Sequence, residues 1–107
     1  MNRDPRGTAD LQCDDERCLL TLAGQFDIDN SELIVEAFLR AMREPVTVVE
    51  LDLSRVTLLS SAAVSSLLQG SALGDERHRA ITLVAASPMA SRVLETLGLL
   101  RFFEPQA

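Results

Sequence analysis

Val46-Thr47-Val48-Val49-Glu50-Leu51-Asp52-Leu53 is a β-branched, nearly continuous apolar run, the pattern of a strand buried on both faces. Residues 54–59 read as a connector. Ser60-Ser61 then opens a helix in which Val64, Leu67, Leu68 and Leu73 keep the helical period. Gly74-Asp75-Glu76-Arg77-His78-Arg79 reads as a polar loop, and Ile81-Thr82-Leu83-Val84-Ala85 as a second buried strand. Ser87-Pro88 is a strong local signal: a capping serine followed by proline at the first helical position, where no amide hydrogen is needed. Met89, Val93, Leu94 and Leu97 line the inner face of that helix, Gly98 ends it, and the apolar residues 99–103 predict a last short strand.

Upstream of the central run, Pro45 stops a helix whose apolar face is Ile34, Ala37, Phe38, Ala41 and Met42. Asn30 or Ser31 can cap its first turn by accepting a hydrogen bond from an unpaired amide. Before it, Leu11-Gln12-Cys13 and Cys18-Leu19-Leu20-Thr21-Leu22-Ala23 flank the polar turn Asp14-Asp15-Glu16-Arg17 and predict a hairpin, its short charged first strand at the edge. Residues 1–9 read as a flexible tail and 10–107 as one domain, a common size for a single core. The order strand, strand, helix, strand, helix, strand, helix, strand predicts an α/β fold. Its mainly parallel central sheet carries an N-terminal hairpin, with helices mainly on one face.

Composition narrows the function. A net charge of −6 argues against nucleic acid and anionic membranes, whose binding needs basic stripes. No apolar run spans a bilayer and the N-terminus lacks a signal core, so membrane insertion is not expected and a cytoplasmic location is. All ten basic residues are arginine, the bias of GC-rich genomes, which points to a high-GC bacterium. Cys13 and Cys18 are separated by four residues and lack the ligand set of a metal site, so they read as ordinary thiols in a reducing cytosol. His78, between two arginines, reads as solvated, with no nearby nucleophile to activate. No acid–base pair or phosphate-cradling glycine loop is evident, so neither an enzyme nor a cofactor is expected.

Three stretches resemble the STAS family, whose small bacterial members are anti-sigma-factor antagonists. Leu22-Ala23-Gly24-Gln25-Phe26-Asp27 is similar to the family's L-x-G-E-L-D. Leu51-Asp52-Leu53-Ser54-Arg55-Val56-Thr57-Leu58-Leu59-Ser60-Ser61-Ala62-Ala63-Val64 sits where the family has L-D-L-x-x-V-x-x-[ML]-D-S-S-G-L. Ala86-Ser87-Pro88 through Val93-Leu94-Glu95-Thr96-Leu97-Gly98-Leu99 resembles S-P-x-V-x-R-[VL]-L-x-x-[ST]-G-L. Each is weak alone, but the ordered set covers most of the chain.

The resemblance implies a STAS-like fold and a non-catalytic protein–protein interaction domain in transcription regulation. In such antagonists the helix start after the central strand docks onto a serine-kinase anti-sigma factor, and phosphorylation of the serine before the motif glycine releases the partner. Carried over by position, the motif's acid is Ser60, its first serine Ser61, its phosphoacceptor Ala62 and its glycine Ala63. The usual phosphotransfer is therefore absent. Ser61 is the alternative acceptor, but one helical step turns a side chain by about 100°. The expected partner-binding residues are Asp27, Ser60, Ser61, Ala62, Ala63 and Val64, with Asp27 equally readable as a turn residue and Ser60 as a plain cap. Ser65 and Ser66 read as ordinary helix residues. A scaffold or accessory subunit of a stress-signalling or transporter complex is the alternative function. An apolar surface around Leu99, Leu100, Phe102 and Phe103 would suit a homodimer.

Overall fold

The central apolar run is the third strand of a four-stranded sheet in the computed structural model, which describes residues 6–103. The elements are β1 (Thr8–Cys13), β2 (Arg17–Phe26), α1 (Glu32–Met42), β3 (Val48–Leu59), α2 (Ser61–Glu76), β4 (Ala80–Ala86), α3 (Pro88–Thr96) and a 3-10 turn (Leu100–Phe103). Strand order is β1-β2-β3-β4; β1 pairs antiparallel with β2, and β2, β3 and β4 run parallel. The predicted hairpin, edge strand and parallel sheet are all present.

Register explains the core. Cys18 lies opposite Val49 and Leu20 opposite Leu51, while Val49 faces Ile81 across the next pair. These residues form an apolar layer, roofed by Ile34, Ala37, Phe38 and Ala41 of α1 and by Ala63, Val64 and Leu67 of α2. Burying each large side chain contributes about 1.5–3 kcal/mol. The other side of the sheet is not covered in this way: Glu50 and Asp52 alternate with the buried leucines, and Arg17 bonds Glu50 at 2.9 Å. The central strand is thus buried on one face rather than two, because the helices lie mainly on one side.

Several boundaries move. Strand β1 begins at Thr8, inside the stretch read as tail, and Gly7 is buried so closely against Phe26 that a Cβ would lie 2.5 Å from its ring. Residues 1–5 of that stretch lie outside the described residues. The connector 54–59 is strand: register shifts in β2 let it follow β3 to Leu59, which buries Val56 and Leu59. Within residues 99–103 no strand forms: Gly98 takes φ 69°, the Leu99 amide donates back to the Leu94 carbonyl, and Leu100–Phe103 make a 3-10 turn. Phe103 is then driven into the core, while Leu97 is exposed rather than on the inner face of α3. Of the proposed self-association surface, Leu99 and Leu100 are half-buried and only Phe102 is exposed.

Helix α2 runs to Glu76, through half of the expected polar loop. The absence of a Cβ at Gly74 makes room for Ile81 and the Arg79 carbonyl, which would lie 2.7 Å and 2.9 Å from one. The chain then reverses at His78, with φ 59°, and the Arg79 amide donates to the Gly74 carbonyl at 2.8 Å. A side chain in this left-handed region costs about 1–2 kcal/mol, of which glycine's greater freedom when unfolded offsets about half. His78→Gly should therefore raise stability by about 0.5–1 kcal/mol, read from the urea midpoint at constant m. A lowered midpoint would show that the imidazole contributes more than its backbone conformation costs.

Candidate site at the start of the second helix

Strands β2 and β3 end together, Phe26 opposite Leu59, and the Ser60 amide donates to the Phe26 carbonyl at 3.0 Å. Ser60 is extended, with ψ 171°, and its hydroxyl accepts from the Ala63 amide at 3.2 Å, so it caps α2. Such a cap contributes about 1 kcal/mol. The start of α2 is thereby held at the C-terminal edge of the parallel strands, where open α/β sheets place their binding sites.

Four consecutive small residues cannot all face outward on a helix. Ser61 is exposed and Ala62 half-buried, but Ala63 is fully buried and Val64 nearly so. Ala63 and Val64 are therefore core residues, corrected from the expected docking set. They fix the rotation that presents Ser61 and Ala62. Ser60 is half-buried with its hydroxyl engaged.

Asp27 stands beside this rim and forms a turn. Its carboxylate accepts from the Asp29 amide at 2.9 Å, and its own amide donates to Asn30 Oδ1 at 2.8 Å. Asn30 Nδ2 in turn donates to the Gln25 carbonyl at 2.9 Å, so Asn30 braces the loop and does not cap α1. Ser31 does not cap it either: it has helical backbone angles and no side-chain bond to the first turn.

Two apolar residues at this edge were not singled out in the sequence. Ile28 is 77% exposed between Asp27 and Asp29, and Leu58 is exposed two residues before Ser60. An isoleucine inside a two-aspartate turn is a readable signal, since such a turn cannot be buried. From Ala62 a groove of ≈ 460 Å³ continues between α1 and α2, with Glu32, Glu36, Ser66 and Gln69 on its walls.

The hydroxyls of the rim have no imidazole beside them. His78, the protein's only histidine, follows the far end of α2, about 25 Å from Ser61 at 1.5 Å per residue. Among the described residues no group of three His, Cys, Asp or Glu could hold a metal ion, and no helix is long and apolar enough to cross a membrane. Among the described residues one carboxyl is clearly displaced in acidity, and it lies at the opposite end of the sheet. The Arg17 backbone amide, then that of Glu16, hold Asp14 below its usual value.

The family model described as "Mlab, STAS domain" matches residues 9–104. No curated protein matches the chain in sequence. Among solved structures, an anti-sigma factor antagonist from Mycobacterium paratuberculosis is similar at TM-score 0.80 and 18% identity, over 99% of this chain and 92% of that one. The anti-sigma factor antagonist SpoIIAA in its unphosphorylated form is similar at TM-score 0.76 and 20% identity, over 94% and 89%. The Bacillus cell fate determinant SpoIIAA in the phosphorylated form gives 0.65 and 22%, over 94% and 92%. At these identities the likeness is one of fold.

Proposed function

The chain belongs to the STAS domain family of the Mlab kind, and on that premise we propose that it is a cytoplasmic, non-catalytic interaction domain whose Ser61–Ala62 rim docks a kinase-type anti-sigma factor or related regulator. The observation that carries this reading is the outward placement of Ser61 and Ala62 at a capped helix start flanked by Asp27 and exposed Ile28. Position 62 holds a methyl group where the family pattern has its acceptor hydroxyl. The partner is then bound without the usual release by phosphorylation.

Ala62→Asp tests the docking face. A carboxylate in the first turn of α2 interacts favourably with the helix dipole by about 0.3–1 kcal/mol, so the fold should hold or gain. A partner seated there would meet a desolvated charge. Recovery of the partner captured from the native cell should fall by about tenfold or more, equivalent to about 1.4 kcal/mol. Undiminished recovery would remove the rim from the interface. With a partner kinase and ATP the wild type should stay unphosphorylated and Ala62→Ser should accept phosphate. Efficient labelling of Ser61 in the wild type would overturn the unswitched part of the proposal.

The same methyl group favours a second reading, an accessory subunit held permanently in a stress-signalling or transporter complex, because a constitutive joint needs no release. A large complex that survives size-exclusion chromatography supports it; a small, reversible one supports the antagonist.

A further inference from the structure

The groove between α1 and α2 contains two hydroxyls for which the fold supplies no partner. Ser31 is 7% exposed and Ser66 5%, and both line the groove. Neither side chain forms a hydrogen bond with any described residue. No buried side-chain oxygen without a partner is sealed from solvent among the described residues, so what the Ser66 oxygen still exposes opens into the groove. Each oxygen thus keeps contact with solvent through the groove, and its donor and acceptor capacity is open to an incoming group.

The groove's charge has one sign. Glu32 and Glu36 stand one turn apart on α1 and both line it, a like-charge spacing that costs a helix about 0.2–0.5 kcal/mol. Neither forms an ion pair with a described residue, and Arg40, one turn beyond Glu36, does not come within ion-pair distance. Gln69 adds an amide on the α2 side. Two exposed carboxylates without ion-pair partners and two hydroxyls that open into the groove form a set of acceptors that lacks a cationic donor.

We propose that this groove seats an arginine side chain presented by the partner protein, the guanidinium donating to Glu32 and Glu36 and to the Ser31 and Ser66 hydroxyls. A guanidinium carries five donors in a planar fork and no acceptor, which suits several acceptors at once; an ammonium has three donors around a point charge. The inference rests on the docking reading of the adjoining rim only for the source of the arginine, since Ala62 belongs to both surfaces.

The test needs no partner. N-acetyl-arginine methylamide is titrated into the isotope-labelled full chain while amide shifts are followed, with the lysine and citrulline analogues as comparisons. The expected result is saturable shifts at Ser31, Ser66 and Gln69, weakened about tenfold or more for citrulline and in the Glu32→Gln/Glu36→Gln variant. Asp10→Asn, a charge change on β1, should leave the titration unaltered. Ser66→Ala should weaken binding while its melting temperature holds or rises, because the lost hydroxyl had no partner in the fold. Equal shifts with citrulline, equal binding of lysine, or shifts spread over the acidic surface would each overturn the assignment. A positive titration with undiminished partner recovery in Ser61→Asp, at an exposed rim residue that does not line the groove, keeps the groove and removes the rim. The reverse pair of results keeps the rim and removes the arginine.

Discussion

Adding one methyl group at Gly70 should destabilise the domain, although alanine is the better helix former. The gain in helix propensity is about 0.5–1 kcal/mol. Against it, a Cβ at Gly70 would lie 2.3 Å from Phe38 Cδ2 and Cε2. Phe38 is fully buried on α1 and has no solvent to turn into. Forcing such an overlap costs about 1–3 kcal/mol, occasionally more, so the net loss for Gly70→Ala should be about 1–2 kcal/mol. Phe38→Ala should cost about 3–5 kcal/mol, a large part of the total stability of a domain this size. In the double variant the added methyl enters the space left by the ring. The combined loss should then fall short of the sum by about 0.5–3 kcal/mol. Urea unfolding of the four proteins gives the cycle. A Gly70→Ala protein as stable as wild type would mean that α1 and α2 do not pack this closely. The groove would lose its basis too, because Ser66 precedes Gly70 by one turn on the same buried side of α2.

That packing also shows where sequence reading stops. Signals that act within a few residues were legible. Ser87 accepts from the Ala90 amide at 3.2 Å ahead of Pro88, and Ser60 accepts from the Ala63 amide, both as caps. The apolar period of α1 placed Ile34, Ala37, Phe38, Ala41 and Met42 correctly in the core. What failed depended on a distant partner. Residues 54–59 contain Ser54 and Arg55 and resemble a connector, yet β2 offers them a ladder through its register shifts. Gly70 looks like a weak point in a helix until Phe38 is placed against it. Residues 99–103 have the composition of a strand, but the four-stranded sheet does not pair with them, and Leu100–Phe103 instead make a 3-10 turn that buries Phe103.

The site divides in the same way. Four small residues at a helix start were legible as a surface of close approach. Which two of them face outward depends on the rotation of α2 against the sheet, and Ala63 against the core sets that rotation. Ser66 is a comparable case. A serine within a helix usually reads as solvent-facing, and only the nearness of α1 buries it while leaving its oxygen to the groove.

Breaking the bond between Cys13 and Cys18 should cost about 2 kcal/mol and leave the docking end of the molecule untouched. Sequence spacing suggests two separate thiols, but Cys13 and Cys18 are disulfide-bonded: the hairpin register sets them opposite each other with Cα atoms 4.0 Å apart. The bond closes a loop of only a few residues, for which chain entropy gives about 2 kcal/mol. The turn has its own support: the Asp14 amide donates to the Arg17 carbonyl at 2.9 Å, and the Asp14 carboxylate accepts from the Glu16 and Arg17 amides. Reduction should therefore lower the melting temperature by about 8 °C or more without unfolding the chain. Hydrogen exchange should show β1 losing protection first, since it is an edge strand whose ladder runs to β2 alone. Cys13→Ser should match the reduced protein and stop responding to reductant, while the buried Cys18 stays in place. Partner capture should be the same in both states, because the bond lies where β2 begins and the rim where it ends. A reducing compartment would then cost this domain stability but not its interaction. Equal melting with and without reductant, or two reactive thiols in the untreated native protein, would show that the hairpin is held by its turn and ladder alone.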